Sequence, residues 1–137
     1  MLDRREIRDD PDAVRDAVRK KGIDLDVDEL LVLDRDVRKL QHEVDQAQTR
    51  RKSSAREFAQ ADDDRRAELR VQHAELEAQL KELREQLAEA TERLNGLLLL
   101  TPTIPWEGAP VGRDESANVV IRTVGTPPEF DFKPLDH

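Results

Sequence analysis

A chain of 137 residues has room for one ordinary domain or two small ones. With 39% charged residues, 36% apolar residues, one Trp and three Phe, it is too polar and too poor in aromatics for a thick globular core, and suits long solvated helices. The lack of cysteine excludes disulfides and thiol chemistry and fits a reducing compartment, and a net charge of −8 means that any polyanion partner needs a local basic site.

The opening "MLDRREIRDD" has no secretory pattern and no apolar run reaches bilayer length, so a soluble, cytoplasmic protein is expected. Residues 1–21 read as a short helical module. Asp3 caps a first turn, and Asp10-Pro11 restarts a helix with Asp10 as N-cap and Pro11 at the first helical position. Gly22 ends it, and Arg19, Lys20 and Lys21 complement the negative end of the helix dipole.

Asp26, with Glu29 three residues on, predicts a capping box at the start of the next helix. Apolar residues then recur at Leu30, Leu33, Val37, Leu40, Val44 and Ala47, in alternating steps of three and four. That repeat predicts a helix packed along one narrow seam. It weakens at Arg51 and Ser54 and returns at Phe58 and Ala61. A second run follows the same steps through Leu69, His73, Leu76, Leu80, Leu83, Leu87, Ala90, Leu94 and Leu97. Between them, Asp62, Asp63 and Asp64 suit a turn and a new N-cap. The expected fold class is all-α: an antiparallel two-helix coiled-coil hairpin over 27–100 with its tip at about 55–66, carried on the N-terminal module. At a rise of ~1.5 Å per residue the rod reaches roughly 50 Å.

Past Leu100 the texture changes. "TPTIPWEGAPVG" holds three prolines and two glycines and is not helical, "ANVVIRTVG" reads as one strand, and "TPPEFDFKPLDH" is extended. A lone strand is not a stable sheet. The division expected is therefore a helical arm at 1–103, then a linker and first strand at 104–137 belonging to a domain that needs further chain.

Charge is uneven along the rod. Residues 22–49 carry three basic side chains against eight acidic, and 71–100 carry three against six. Residues 50–70 reverse this, with Arg50, Arg51, Lys52, Arg56, Arg65, Arg66 and Arg70 against five acidic. A charged helix face needs no function. Cations gathered at one end of an acidic rod nevertheless suit a clamp on a phosphate backbone, with Arg19, Lys20 and Lys21 as weaker candidates at the base. The leucines read as core and His73 as a packed histidine. His42 and His137 have no partners at metal spacing, and no Gly-rich phosphate loop or nucleophile motif is present, so neither a metal site nor a catalytic residue is expected. A coiled-coil adaptor binding a protein helix is the competing reading.

Several segments resemble one family. "RDDPDAVRDAVRKKG", "APVGRDES" followed by "NV", and "GTPPEFDFKPLDH" are similar to the opening of bacterial seryl-tRNA synthetases and to their passage from arm to catalytic domain, in the same order and across a helical hairpin. The resemblance implies a tRNA-binding arm that reaches to tRNA held on the other subunit of a homodimer. Its partners would be tRNA(Ser), with its long variable arm, and tRNA(Sec). It also implies that ATP and Mg serve a class II catalytic domain for which this chain has no matching positions, so that the chain alone should not charge tRNA and is expected to be monomeric. Two departures stand out. The turn "FAQADDDRRAEL" lacks the glycine that often marks a longer tip, and Thr103 stands where Asn is common.

Overall fold

The computed structural model describes residues 2–112, 114–126 and 129–133. Expectations falling on Arg113, Pro127, Pro128 and 134–137, His137 included, lie outside the described residues.

Four helices follow in order: α1 (Arg4–Asp9), α2 (Pro11–Lys21), α3 (Val27–Gln60) and α4 (Asp63–Leu100). Local chemistry starts and stops each one. Asp3 and Glu6 form a full capping box on α1, the side chain of Asp3 taking a 2.7 Å bond from the Arg5 N–H while Glu6 takes one of 2.8 Å from the Asp3 N–H. Asp10 caps α2 through the Ala13 N–H at 3.0 Å, with Pro11 in the first turn. Gly22 closes α2 in the left-handed region at φ 61°, where a Cβ would be strained.

The box expected at Asp26 is only half made. Asp26 accepts from the N–H groups of Asp28 and Glu29 at 2.9 and 3.0 Å. Glu29 does not return to the Asp26 N–H, and instead takes a 3.3 Å bond from Arg93 on α4. A cation on the facing helix offers a carboxylate a full opposite charge, which one backbone N–H does not.

α3 runs unbroken through Arg51 and Ser54, since no Gly or Pro interrupts 27–60. The chain reverses at Ala61 and Asp62, which alone separate the two helices. Asp62 caps α4 by accepting from the Arg65 N–H at 2.9 Å.

The core is thick at one end and thin at the other. Ile7, Val14 and Val18 of the N-terminal module join Leu30, Leu33, Val37, Leu94 and Leu98 in a cluster at the hairpin base. Farther out only Val44, Ala47 and Leu80 form a buried cluster, with Leu83 and Leu87 packed beside it. Two helices alone give the seam no second layer, so Leu40, Leu76, Leu83, Leu87 and Leu97 are half-buried. Nearer the tip Leu69 is wholly buried.

Ion pairs lock the module to the rod. Asp34 on α3 is buried, and it receives Arg4, Arg8 and Arg38 at 2.6, 3.2 and 3.1 Å. Arg15 of α2 reaches Asp28 at 2.5 Å.

Beyond Thr101 the described residues are irregular apart from a 3-10 turn, Glu115–Ala117. No strand forms among the described residues: 118–124 pair with nothing, and Val119, Val120, Ile121 and Val124 are exposed. A strand needs a ladder partner, and none of the described residues supplies one. No helix among the described residues is long and apolar enough to cross a membrane.

Candidate nucleic-acid interface

The seven basic side chains singled out in 50–70 share one end of the rod, but they divide into two groups. Arg51, Arg65 and Arg66 are engaged within the protein. Arg51 bridges the hairpin to Glu77 at 2.5 Å. Arg65 is held by Glu57 at 2.7 Å and Glu68 at 2.6 Å, and these hydrogen bonds raise its already high pKa. Arg66 touches Asp63 at 3.5 Å and lies over the ring of Phe58, 5.9 Å from its centroid.

Arg50, Lys52, Arg56 and Arg70 are exposed and form no ion pair among the described residues. Elsewhere on the hairpin Arg35, Arg38, Lys39, Lys81 and Arg93 are all paired, and Arg84 is the remaining hairpin cation with no ion pair among the described residues. The acidic shaft thus neutralises its own cations, and the far end keeps uncommitted ones. Lys52 and Arg56 are four apart and share the outer side of α3.

The weaker candidates lie at the opposite end, roughly 50 Å away by helix length. Arg19 and Lys20 pair with Asp16, the latter at 2.8 Å. Lys21 donates to the Thr103 hydroxyl at 3.1 Å, tying α2 to the chain leaving α4. Thr103, the departure noted above, is therefore an acceptor in the base, a role its hydroxyl fills. The structure does not bring Arg19, Lys20 and Lys21 together with the tip cluster.

Two features were not singled out from the sequence. One is the Asp34 clamp. The other is a groove of about 300 Å³ lined by Ala55, Phe58, Arg70 and His73. His73 sits half-buried, edge-on to Phe58, with ring centroids 6.2 Å apart. A signal for the groove was present, since Phe58 is the sole Phe, Tyr or Trp in the first hundred residues and falls among the arginines. Among the described residues no group of three or more His, Asp or Glu side chains gathers as a metal site.

These features describe a narrow two-helix rod with cations near its far end that are unpaired among the described residues, and its relatives identify the family. Residues 1–105 match the family model for the seryl-tRNA synthetase N-terminal domain. The chain is 45% identical over 136 residues to a serine–tRNA ligase of Deinococcus radiodurans, covering 99% of this chain and 32% of that protein. It is 48% identical over 142 residues to a serine–tRNA ligase of Thermotoga petrophila, covering 100% of this chain and 33% of that protein. A solved seryl-tRNA synthetase from Pyrococcus horikoshii, complexed with ATP, matches with a TM-score of 0.70 at 29% identity, over 88% of this chain and 28% of that one. The chain belongs to the seryl-tRNA synthetase N-terminal domain family. It spans about a third of the length of the relatives it matches.

Proposed function

We propose that this chain is the tRNA-binding arm of a seryl-tRNA synthetase. Its far end lies on the phosphate backbone of tRNA(Ser) and recognises the long variable arm by shape and reach. One observation carries the reading: Arg50, Lys52, Arg56 and Arg70 are exposed cations without ion pairs among the described residues, at the end of a rod whose other cations are nearly all paired. Arg51, Arg65 and Arg66 join the contact by exchanging carboxylates for phosphates, and Arg19, Lys20 and Lys21 face the tRNA body from the base. tRNA(Sec), with its long arm, is a second substrate of the same shape.

The adenylation of serine with ATP and Mg²⁺, and the transfer of serine to the tRNA 3′ end, belong on this reading to a class II catalytic domain in a cytoplasmic homodimer. Residues 1–103 are then the arm, and 104–137 the linker and first strand of that domain. The exposed Val119, Val120 and Ile121 support this, as a strand awaiting its sheet would have such side chains.

The test is a titration of the chain against one tRNA with a long variable arm and one with a short arm, at several salt concentrations. Preference for the long arm, with log affinity falling by about 0.7–0.9 per phosphate for each decade of salt, supports the arm. Changing Arg50, Lys52, Arg56 and Arg70 together to Ala should abolish the preference and leave helicity intact. Undiminished binding by that variant, or binding that ignores salt as an apolar protein adaptor would, refutes the reading.

A further inference from the structure

Phosphate contacts alone would let the arm slide along any RNA duplex, because they carry no positional information. The Phe58 groove supplies what they lack. Its lining combines a phenyl ring, an imidazole at 83° to it, Ala55 and the side of Arg70. Arg66 covers the same ring from α4. The Arg66 Nε is out of solvent and has no hydrogen-bond partner in the protein, and its Nη1 reaches only Asp63, at 3.5 Å. This guanidinium is thus weakly held, and an incoming anion offers it a stronger, charge-assisted bond.

An apolar peptide side chain would fill the groove but leave both guanidinium groups unmatched. A nucleotide offers partners for all of these features: a flat π face for the Phe58 ring, an edge for the perpendicular His73, and phosphates for the two arginines. The groove volume of about 300 Å³ is at the small end for ligand clefts, which suits a single ring system.

We propose that this groove seats one unstacked nucleobase of the bound RNA, with Arg66 and Arg70 on the phosphates flanking that nucleotide. The inference rests on the tRNA-arm reading and deepens it. Bases leave the stack in loops, bulges and junctions and not in a regular duplex. The groove therefore fixes where along the RNA the rod comes to rest, while the surrounding cations bring it there. The stacking is tolerant of base identity, since every base has a π face.

The test uses the full chain and a long-armed tRNA. Phe58→Leu keeps apolar volume against Arg66 and removes the aromatic face. It is expected to weaken binding about tenfold and to leave the salt slope unchanged, because no phosphate contact is lost. Phe58→Trp is expected to bind as the wild type does. With Trp106→Phe in the same chain its indole is the one tryptophan, and tRNA should quench its emission. If Phe58→Leu loses helicity, the quenching result decides alone. Wild-type affinity in Phe58→Leu, or an unquenched indole, overturns the groove. If changing Arg50, Lys52 and Arg56 to Ala still weakens binding in that case, the arm reading stands without it. Failure of the wild-type chain to bind the long-armed tRNA at any salt concentration removes both.

Discussion

Asp34 accepts from Arg4 at 2.6 Å with its carboxylate 3% exposed, and through this contact α1 is fastened to the base of the rod. Arg8 adds a second tie from the same helix, and Arg38 a third from one turn along α3. Burial by itself would push the Asp34 carboxyl up. The hydrogen bonds and charges of Arg4 and Arg8 outweigh burial and hold it below its ordinary value. A thin two-helix rod depends on such a footing, because most of its apolar burial is at this end.

Asp34→Ala would leave three guanidinium groups without their shared anion. The arginines are partly exposed and partly rehydrate, so the expected loss is about 1–3 kcal/mol in chemical denaturation. The pH dependence follows from the lowered pKa. The unfolded carboxyl titrates near 3.9, so the stabilisation is whole above about pH 4 and fades as pH falls through the lower folded value. Asp34→Asn, which has no charge to lose, should show a flatter fall of stability in acid than the wild type. Parallel curves would deny the clamp its role.

Along the shaft, position decides cost. Leu80 is wholly buried between Val44 and Ala47, whereas Leu83 is half-buried at the edge of that cluster. Leu80→Asp puts an unpaired charge out of water and should cost about 3 kcal/mol or more. At Leu83 the new carboxylate can turn to solvent, and Leu83→Asp should cost less than half as much. Equal midpoints in urea for the two variants would contradict the packing.

The same contrast shows what sequence periodicity can and cannot say. The three-four spacing of Leu30, Leu33, Val37 and Val44 dictated the seam, because those residues share one face of a helix. The spacing gives Leu80 and Leu83 equal rank, and only the facing helix separates them. Asp34 was illegible for a related reason. An aspartate inside a charged helix reads as surface, and its burial depends on Arg4 arriving from thirty residues away. The basic tip was legible as composition. Which arginines were already committed was not, since the partner of Arg51 is Glu77 on the facing helix, α4. The Phe58 groove needed His73 to return alongside it, and that happens only once the chain has turned at Ala61 and Asp62.

That turn makes its own prediction. The Asp62 carboxylate accepts from the Arg65 N–H at 2.9 Å and is the side-chain cap of α4. Asp62→Ala should destabilise the first turn of α4 by about 1 kcal/mol. The loss is local, so amide hydrogen exchange should quicken at Arg65 and Arg66 and stay unchanged around Leu94. Uniform quickening along α4 would mean that the tip and base unfold together.

The last prediction concerns the committed arginines. Glu57 holds Arg65 and Glu77 holds Arg51, each in a pair whose members are about half exposed. Such pairs contribute at most about 1 kcal/mol to stability, so a phosphate can compete for them. Changing both acids together, Glu57→Gln with Glu77→Gln, removes two competing anions and leaves the helices intact. On the tRNA-arm reading the double variant should bind long-armed tRNA severalfold more tightly at low salt, and that advantage should shrink as salt rises. Denaturation midpoints should barely move. Tighter binding would show that Arg51 reaches phosphate once released, and that Arg65 does so with Glu68 as its remaining partner, so that the glutamates set how readily the arm lets go. Unchanged affinity would confine the interface to Arg50, Lys52, Arg56 and Arg70, and leave Arg51 and Arg65 as braces across a tip that has little core of its own.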